Sequence, residues 1–309
     1  MRAAILSELG VPRPGDFREP EPAAGQAVVE VLAAGLNPVD VSISAGTFYA
    51  GPPQLPCVAG REGVGRIAGE RVYFDAPIAP FGSMAERSLV DPATTYPVPD
   101  GVGDGAAVAI GIAGLAAWLA LTWRARLEPG EHVLVLGASG VVGQIAVQAA
   151  RVLGAGRVVA AARSPEGLAL ALGLGADAAV SLSEPDLPGA FSRAAEGRID
   201  VVVDPLFGAP LTAAMQAASF CARIVQLGQS AGAEATISSP VVRGKLLALM
   251  GHSNFAAPLQ VRRDGYRQMG EALARGEIRV DVLELALDRV ADAWAMLAAG
   301  SHGKIVLLP

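Results

Sequence analysis

The sequence predicts an α/β protein, and the contrast between two parts of the chain supports this prediction. The first hundred residues are rich in proline and glycine and contain short β-type runs such as 27–32 and 69–74. Many short strands separated by turns indicate a β-rich domain. After Pro129 and Gly130, apolar strand-like runs alternate with Ala/Leu-rich helical runs. Such alternation is typical of a doubly wound parallel sheet with crossover helices.

The parallel sheet is predicted from apolar runs that show no polar face, as strands covered on both sides require. The predicted strands are 132–136, 157–161, 178–182, 199–203 and 223–227. Helices are expected between them at 141–153, 165–173 and 209–218. The tail contains two further helical runs, 264–275 and 289–299, and a closing strand at 304–308.

Composition and charge exclude several classes of function. The 309 residues are 52% hydrophobic, which is ample for two modest domains with their own cores. A net charge of -6 without a long run of Lys or Arg gives no reason to expect nucleic acid as a partner. The apolar run 106–121 is interrupted by Gly111 and Gly114 and falls short of the roughly 20 residues that span a bilayer. It predicts a buried helix and no membrane association.

The cysteine content and the N-terminal residues indicate the cellular compartment in which the protein is expected. Cys57 and Cys221 lie far apart and form no CxxC pair, which argues against a disulfide framework and a structural zinc cluster. The apolar run after Met1 is too short for a signal peptide. A cytoplasmic protein is therefore expected.

A glycine-rich turn follows the first strand of the predicted sheet. It consists of Gly137, Ala138, Ser139, Gly140, Val141, Val142 and Gly143. The spacing matches the G-x-G-x-x-G pattern only loosely, because two residues separate the first two glycines. Small residues still allow the backbone to approach a pyrophosphate, and the helix that follows offers N–H donors at its N-terminus. The strand, turn and helix together predict binding of a nicotinamide dinucleotide.

The end of the second predicted strand indicates which dinucleotide is bound. An acid there would accept hydrogen bonds from a ribose 2′-hydroxyl, but the chain has Arg163 and Ser164. A guanidinium suits a 2′-phosphate, so NADPH is favoured over NADH. The alternative is a solvated arginine on a surface loop. Asp204 and the pair Leu227 and Gly228 end two further strands on the cofactor edge, although Asp204 could equally cap the turn that follows it.

Four other segments complete a recognisable set of motifs: 33–40 reads AAGLNPVD, 55–65 reads LPCVAGREGVG, 69–72 reads GERV and 303–307 reads GKIVL. With the glycine turn they resemble the medium-chain dehydrogenase/reductase superfamily, in its zinc-independent quinone oxidoreductase branch. The resemblance implies a GroES-like β-rich catalytic domain formed by 1–114 and 250–309. A Rossmann dinucleotide-binding domain, 115–249, is inserted between these parts. The resemblance also places His252 at a position where relatives line the nicotinamide pocket. A histidine with a purely structural role is the open alternative.

The resemblance further implies that no metal is bound. Zinc-dependent members carry a cysteine ligand in the segment of Asn37 and a histidine where this chain has Arg61 before Glu62. Two other departures affect the cofactor site: Ala116 replaces a common threonine, and Gly167 replaces a frequent lysine, which leaves Arg163 to hold the 2′-phosphate.

Conjugated acceptors suit a reductase without a metal, because the enolate that hydride addition produces needs only hydrogen-bond donors and a proton. Asn37 is the candidate donor to the cofactor or the oxyanion, and Tyr49 or Ser42 the candidate proton source. A turn residue before Pro38 is the alternative for Asn37, and a loop aromatic is the alternative for Tyr49.

The favoured hypothesis is an NADPH-dependent reductase of a small quinone or α,β-unsaturated carbonyl compound, acting as a homodimer as relatives usually do. Two alternatives stay open. One is a cofactor-binding protein with a sensing or structural role and no turnover. The other is an enoyl-thioester reductase, for which the candidate basic residues are Arg243, Lys245, Arg262 and Arg263. The identity of the acceptor is not predicted.

Overall fold

The computed structural model describes residues 1–309, which divide into two units. The first unit contains Met1–Ile112, Tyr266–Ala274 and Val280–Pro309, and the second contains Ala113–Gly265 and Arg275–Arg279. The domain boundaries expected at 114 and 249 stay a prediction.

The strands are β1 (Arg2–Leu6), β2 (Arg13–Asp16), β3 (Ala27–Gly35), β4 (Cys57–Val58), β5 (Glu62–Ile67), β6 (Glu70–Phe74), β7 (Arg87–Val90), β8 (Tyr96–Pro97), β9 (His132–Leu136), β10 (Arg157–Ala162), β11 (Ala178–Ser181), β12 (Val201–Asp204), β13 (Arg223–Gln226), β14 (Ala248–Gly251), β15 (Val282–Ala286) and β16 (Lys304–Leu308).

The α-helices are α1 (Pro38–Ser44), α2 (Asp104–Ala109), α3 (Ile112–Leu119), α4 (Val141–Val152), α5 (Pro165–Gly173), α6 (Leu187–Ala194), α7 (Gly208–Ala217), α8 (Ser239–Lys245), α9 (Leu259–Ala274) and α10 (Val290–Ala298). None of them combines the length and the apolar content that crossing a bilayer requires.

The first unit is built on a sheet of seven strands in the order β15-β16-β3-β5-β6-β8, with β7 also paired to β3. A smaller sheet has the order β2-β1-β4. β3 is central because it pairs antiparallel with β16, β5 and β7. Its buried side chains join a core with Phe74, Met84, Trp294, Ile305 and Leu307. The last strand of the chain is therefore hydrogen-bonded beside one of the first.

The second unit contains a six-stranded sheet in the order β11-β10-β9-β12-β13-β14, and every pair in it is parallel. The strand order reverses between β9 and β12, the first and fourth strands along the chain. In doubly wound sheets, ligands bind at such a reversal, beyond the carboxyl ends of the strands. This sheet confirms the predicted α/β fold class.

The predicted elements of the sheet are present with small shifts at their ends. The five predicted strands appear as β9 to β13, and the three predicted helices as α4, α5 and α7. The pattern does not predict α6, which is only eight residues long and contains Pro188 in its first turn. Eight residues contain too few apolar positions to establish a helical period.

One predicted helix was wrong in extent. The apolar run 106–121 forms two α-helices, α2 and α3, which separate at Gly111, and its last two residues begin a π-helix, Ala120–Ala125. Packing requires glycine at this break, because a Cβ at Gly111 would lie within 3.0 Å of the Tyr73 ring. The run is nevertheless largely buried, as expected.

Candidate functional site

The glycine turn lies at the carboxyl end of β9, and its glycines serve different purposes. Gly137 has φ +64°, a left-handed conformation that favours glycine. A Cβ at Gly143 would lie within 3.0 Å of the backbone of Gly137 and Ala138, so this residue allows α4 to pack against the turn. A Cβ at Gly140 would meet no atom of the chain closer than 3.7 Å. The chain's own packing therefore does not require glycine at position 140, and its absent side chain leaves room for a ligand.

The N-terminus of α4 opens onto this turn. Gly140 is the N-cap residue and supplies no side-chain hydrogen bond to the first amides of the helix. These amides and the positive end of the helix dipole favour an anion. Behind the turn, Gln144 Nε2 donates to the carbonyl oxygen of Ser139 at 2.8 Å and holds the loop in place.

The end of β10 lies beside the same turn. Arg163 is exposed, and Ser164 is the N-cap residue of α5, where its Oγ accepts from the Gly167 amide at 3.0 Å. A Cβ at Gly167 would lie within 3.0 Å of the Ser139 side chain. Close contact between α5 and the glycine turn therefore requires glycine at position 167.

Asp204 is fully buried at the end of β12. Its Oδ1 accepts from the amides of Leu206 and Phe207, both at 2.9 Å, and burial raises the pKa of the carboxyl group. This is the turn-capping geometry that the sequence left open. The other oxygen, Oδ2, is buried without a hydrogen-bond partner.

β13 and β14 bring the remaining residues predicted to bind the cofactor to the carboxyl edge of the parallel sheet. Leu227 donates its amide to the carbonyl oxygen of Asp204 at 2.7 Å, and Gly228 accepts from Gln226 Nε2 at 2.6 Å. His252 directly follows β14, and its Nε2 lies 2.9 Å from Asn254 Oδ1. Burial lowers the pKa of His252 and so favours the neutral ring.

In the first unit, a buried polar network surrounds Glu62, which sequence reasoning missed. Lys304 Nζ donates to Glu62 Oε1 at 2.6 Å, and the side chains are 2% and 0% exposed. Glu62 Oε2 accepts from the Tyr73 hydroxyl at 2.7 Å and from the Ile112 amide at 2.6 Å. Asn37 Nδ2 donates to Oε1 at 2.8 Å. Both oxygens of this buried carboxylate are therefore satisfied, as a buried charge requires.

Of the three predicted catalytic residues, only Asn37 belongs to this network. Asn37 is 4% exposed, and its Oδ1 accepts from Lys304 Nζ at 2.6 Å. Since its Nδ2 donates to Glu62, both ends of the amide are occupied within the chain. Ser42 Oγ donates to the Pro38 carbonyl at 3.1 Å, and Tyr49 is 77% exposed beside the Phe48 ring. The catalytic roles of these residues stay a prediction.

A cavity of about 300 Å³ adjoins this network within the first unit. Most of its wall is apolar and includes Phe48, Cys57 and Phe81. The charged side chains on the wall are Asp40 and Arg61. The volume is at the lower end of the range for small-molecule sites.

Asp40 connects the network to this cavity. Its Oδ2 accepts from the Asn37 amide at 2.8 Å, and its Oδ1 accepts from the Arg61 amide at 2.9 Å. Burial raises the pKa of Asp40 to about 6, and the charge of Glu62 adds to this effect while Lys304 opposes it.

Two basic residues proposed for a carrier phosphate are used elsewhere. Lys245 Nζ donates to the carbonyl oxygens of Gln216 and Ala218, at 2.6 and 2.7 Å, and so caps the end of α7. Arg243 Nε donates to Ser239 Oγ at 3.2 Å within α8. The enoyl-thioester alternative stays a prediction.

Replacing Lys304 with methionine is expected to lower the free energy of unfolding by about 3–5 kcal/mol, because Glu62 would stay buried and charged without its cation. Chemical denaturation measures this loss. The double variant Lys304→Met/Glu62→Gln should recover part of it, since a neutral amide needs no counter-charge. Equal stability of Lys304→Met and the unchanged protein would contradict the role of the ion pair.

Asp40 should make stability depend on pH in a defined direction. Its folded-state pKa of about 6 lies above the ordinary value of 3.8, so the folded state binds the proton more tightly. The stabilisation is complete below about pH 4 and is lost as pH rises through about 6. Relative to Asp40→Asn, the unchanged protein should therefore lose roughly 3 kcal/mol over this window. Denaturation series on both proteins at several pH values test this, and parallel curves would refute it.

Comparison with known proteins agrees with the architecture. The alcohol dehydrogenase GroES-like domain family matches residues 23–100, and the zinc-binding dehydrogenase family matches residues 141–268. The chain is 30% identical to a quinone oxidoreductase of Pongo abelii over 100% of its own length and 98% of the relative. It is also 30% identical to quinone oxidoreductase-like protein 2 of Mus musculus, over 82% of this chain and 77% of the relative.

Solved structures agree with this assignment of the family. The quinone oxidoreductase of Thermus thermophilus, whose complex with NADPH is known, has 31% identity and a TM-score of 0.84 over 100% of both chains. A mycobacterial quinone oxidoreductase with 24% identity has a TM-score of 0.90 over 100% of both chains, which shows the shared fold. The chain therefore belongs to the medium-chain dehydrogenase/reductase superfamily, in its quinone oxidoreductase-like branch.

Proposed function

We propose that the protein is an NADPH-dependent reductase of quinones or α,β-unsaturated carbonyl compounds. The observation that carries the proposal is the carboxyl edge of the parallel sheet. The residues predicted to bind the cofactor lie at the carboxyl ends of β9, β10, β12, β13 and β14, in the loops that follow these strands or in the first turn of α4. The relatives of this chain include quinone oxidoreductases, which supports the assignment of the protein as an oxidoreductase.

The residues present at this edge fit a dinucleotide phosphate. The space left by Gly140 and the amides at the start of α4 suit a pyrophosphate. Arg163, exposed beside the N-terminus of α5, suits the 2′-phosphate, and no acid stands at the end of β10 to repel it. The buried Asp204 Oδ2 has no partner in the chain and suits a hydroxyl donor from the cofactor.

The proposed chemistry is hydride transfer to a conjugated acceptor. It follows from the cofactor and from the types of residue near the Glu62 network. NADPH, when bound, supplies a hydride from nicotinamide C4. A conjugated acceptor takes that hydride at its far carbon and becomes an enolate or a hydroquinone anion, which requires a positive or hydrogen-bonding environment and a proton. Asn37 and Arg61 are not residues that hold zinc, and no group of three or more His, Cys, Asp or Glu side chains is arranged to hold a metal ion.

The three predicted catalytic residues then take different roles. We propose that Asn37 positions the end of β3 and the start of α1, since Lys304 and Glu62 already occupy its amide. Tyr49, with most of its surface exposed, is the better candidate to deliver the proton. Ser42 is bonded to the backbone of its own helix and is the weaker candidate.

Removing the guanidinium of Arg163 tests the cofactor assignment. Arg163→Ala should raise the Kd of NADPH about 10- to 100-fold, the usual loss for a charge-assisted contact to phosphate, and should leave the Kd of NADH nearly unchanged. Fluorescence titration of both cofactors measures this. Arg193→Ala is the matched control, because Arg193 is exposed at the end of α6, which leads toward the opposite edge of the sheet.

Turnover is tested separately by following NADPH oxidation with quinones, enals, enones and enoyl thioesters. We expect turnover with quinones or with the enals and enones. Tight NADPH binding without turnover of any acceptor would instead favour a cofactor-binding protein without catalysis. A preference for NADH that Arg163→Ala does not change would reject the cofactor assignment.

A further inference from the structure

Two side chains of the second unit leave hydrogen-bonding groups unused. Arg124 Nε and His252 Nδ1 are both buried, and neither has a hydrogen-bond partner in the chain. Both residues lie within the stretch Ala113–Gly265 of this unit. Buried polar groups in folded proteins are nearly always paired, so each exception requires an explanation, and a role in binding is one of them.

Trp123 connects the two unused groups. The His252 ring meets the Trp123 indole edge-on, with 5.8 Å between the ring centroids. Cζ of Arg124 lies 5.3 Å from the centroid of the same indole. Trp123 and Arg124 belong to the π-helix Ala120–Ala125, a rare conformation that is frequent at functional sites, and His252 follows β14. Two separate elements of the unit therefore bring their unused groups to one aromatic ring.

Arg124 has no counter-ion in the chain. It is half-buried, and its guanidinium makes no hydrogen bond or ion pair within the chain. Five other arginines of this unit are paired with carboxylates, namely Arg151, Arg157, Arg193, Arg198 and Arg223. Burial lowers the pKa of His252, the hydrogen bond with Asn254 opposes this, and the charge of Arg124 adds to the effect of burial. No carboxylate contributes to this shift, so the surroundings of His252 suit an anion.

The contact with Asn254 determines what His252 offers to a ligand. Its Nε2 lies 2.9 Å from Asn254 Oδ1, and a carbonyl oxygen only accepts hydrogen bonds. The neutral ring, which the lowered pKa favours, therefore has its hydrogen on Nε2. Nδ1 then has a lone pair, and it accepts a hydrogen bond but cannot donate one. A ligand of this site must bring a negative charge to Arg124 and a donor to His252.

We infer that Arg124 and His252 form a binding site for a small organic anion that has a hydroxyl group beside its carboxylate. The guanidinium matches the carboxylate, Nδ1 accepts from the hydroxyl group, and the Trp123 indole suits a flat apolar substituent. Nδ1 is covered in the free chain, so a nearby side chain changes its rotamer when the ligand enters, as is common on binding. The inference goes beyond the proposed reductase and does not depend on hydride transfer.

Ligands that differ in one group provide the binding test. Mandelate has both the carboxylate and the hydroxyl group, phenylacetate lacks the hydroxyl group, and mandelamide lacks the charge. Isothermal titration of the protein without cofactor should show mandelate binding about threefold to tenfold more tightly than phenylacetate, the usual range for one neutral hydrogen bond. Mandelate should bind at least about tenfold more tightly than mandelamide, as a charge-assisted contact predicts.

Variants assign each preference to its residue. Arg124→Gln should remove the preference for mandelate over mandelamide, and Arg124→Lys should restore part of it. His252→Phe should remove the preference for mandelate over phenylacetate and keep the preference for charge. Arg126→Gln is the matched control, because Arg126 is an exposed arginine at the end of the same π-helix. Thermal denaturation verifies that each variant is folded, and His252→Leu replaces His252→Phe if the latter does not fold.

The chain has only three histidines, so NMR can examine His252 directly. Long-range ¹H–¹⁵N spectra should show hydrogen on Nε2 of His252 in the free protein. Mandelate should shift the Nδ1 resonance of His252 and leave His132 and His302 unchanged. Hydrogen on Nδ1 in the free protein, equal binding of mandelate and phenylacetate, or preferences that persist in the folded variants would each overturn the inference.

Discussion

The buried ion pair between Lys304 and Glu62 is the interaction on which the first unit depends. It joins the last strand of the chain to β5, and through Glu62 it also holds Tyr73, Asn37 and the amide of Ile112. Such a pair contributes little net stability compared with apolar residues, but loss of one partner is costly. Its value lies in fixing positions: with this pair formed, Asn37 and Asp40 are held, and Asp40 in turn fixes the backbone of Arg61 on the cavity wall.

In the second unit, close packing of helices against the turn after β9 fixes positions, as the ion pair does in the first unit. Gly143 and Gly167 allow two helices to approach the turn after β9 more closely than any side chain would permit. Gly140, by contrast, is not required by contacts within the chain. The two kinds of glycine separate the framework of the turn from the space that we propose for the pyrophosphate of the cofactor. This arrangement lies where the strand order reverses, the position at which doubly wound sheets bind their ligands.

The sequence predicts the second unit better than the first, for a physical reason. Strands covered on both faces need continuous apolar runs, so β9 to β13 are visible locally, and the cofactor candidates follow because they stand where those runs end. The network around Glu62 has no local signal. Glu62 and Lys304 are 242 residues apart, and only the antiparallel pairing of β3 with β5 and β16 brings them together. The occupied amide of Asn37 could not be foreseen without these partners.

The transfer of hydride to a conjugated carbon is the central claim, and isotope transfer tests it most directly. NADPH deuterated on one face of nicotinamide C4 is incubated with the protein and an acceptor enone, and the product is examined by mass spectrometry and NMR. For one of the two C4 epimers, we predict a single deuterium on the carbon β to the carbonyl group. NADPH consumption with an unlabelled product from both epimers would contradict direct hydride transfer and with it the proposed reductase.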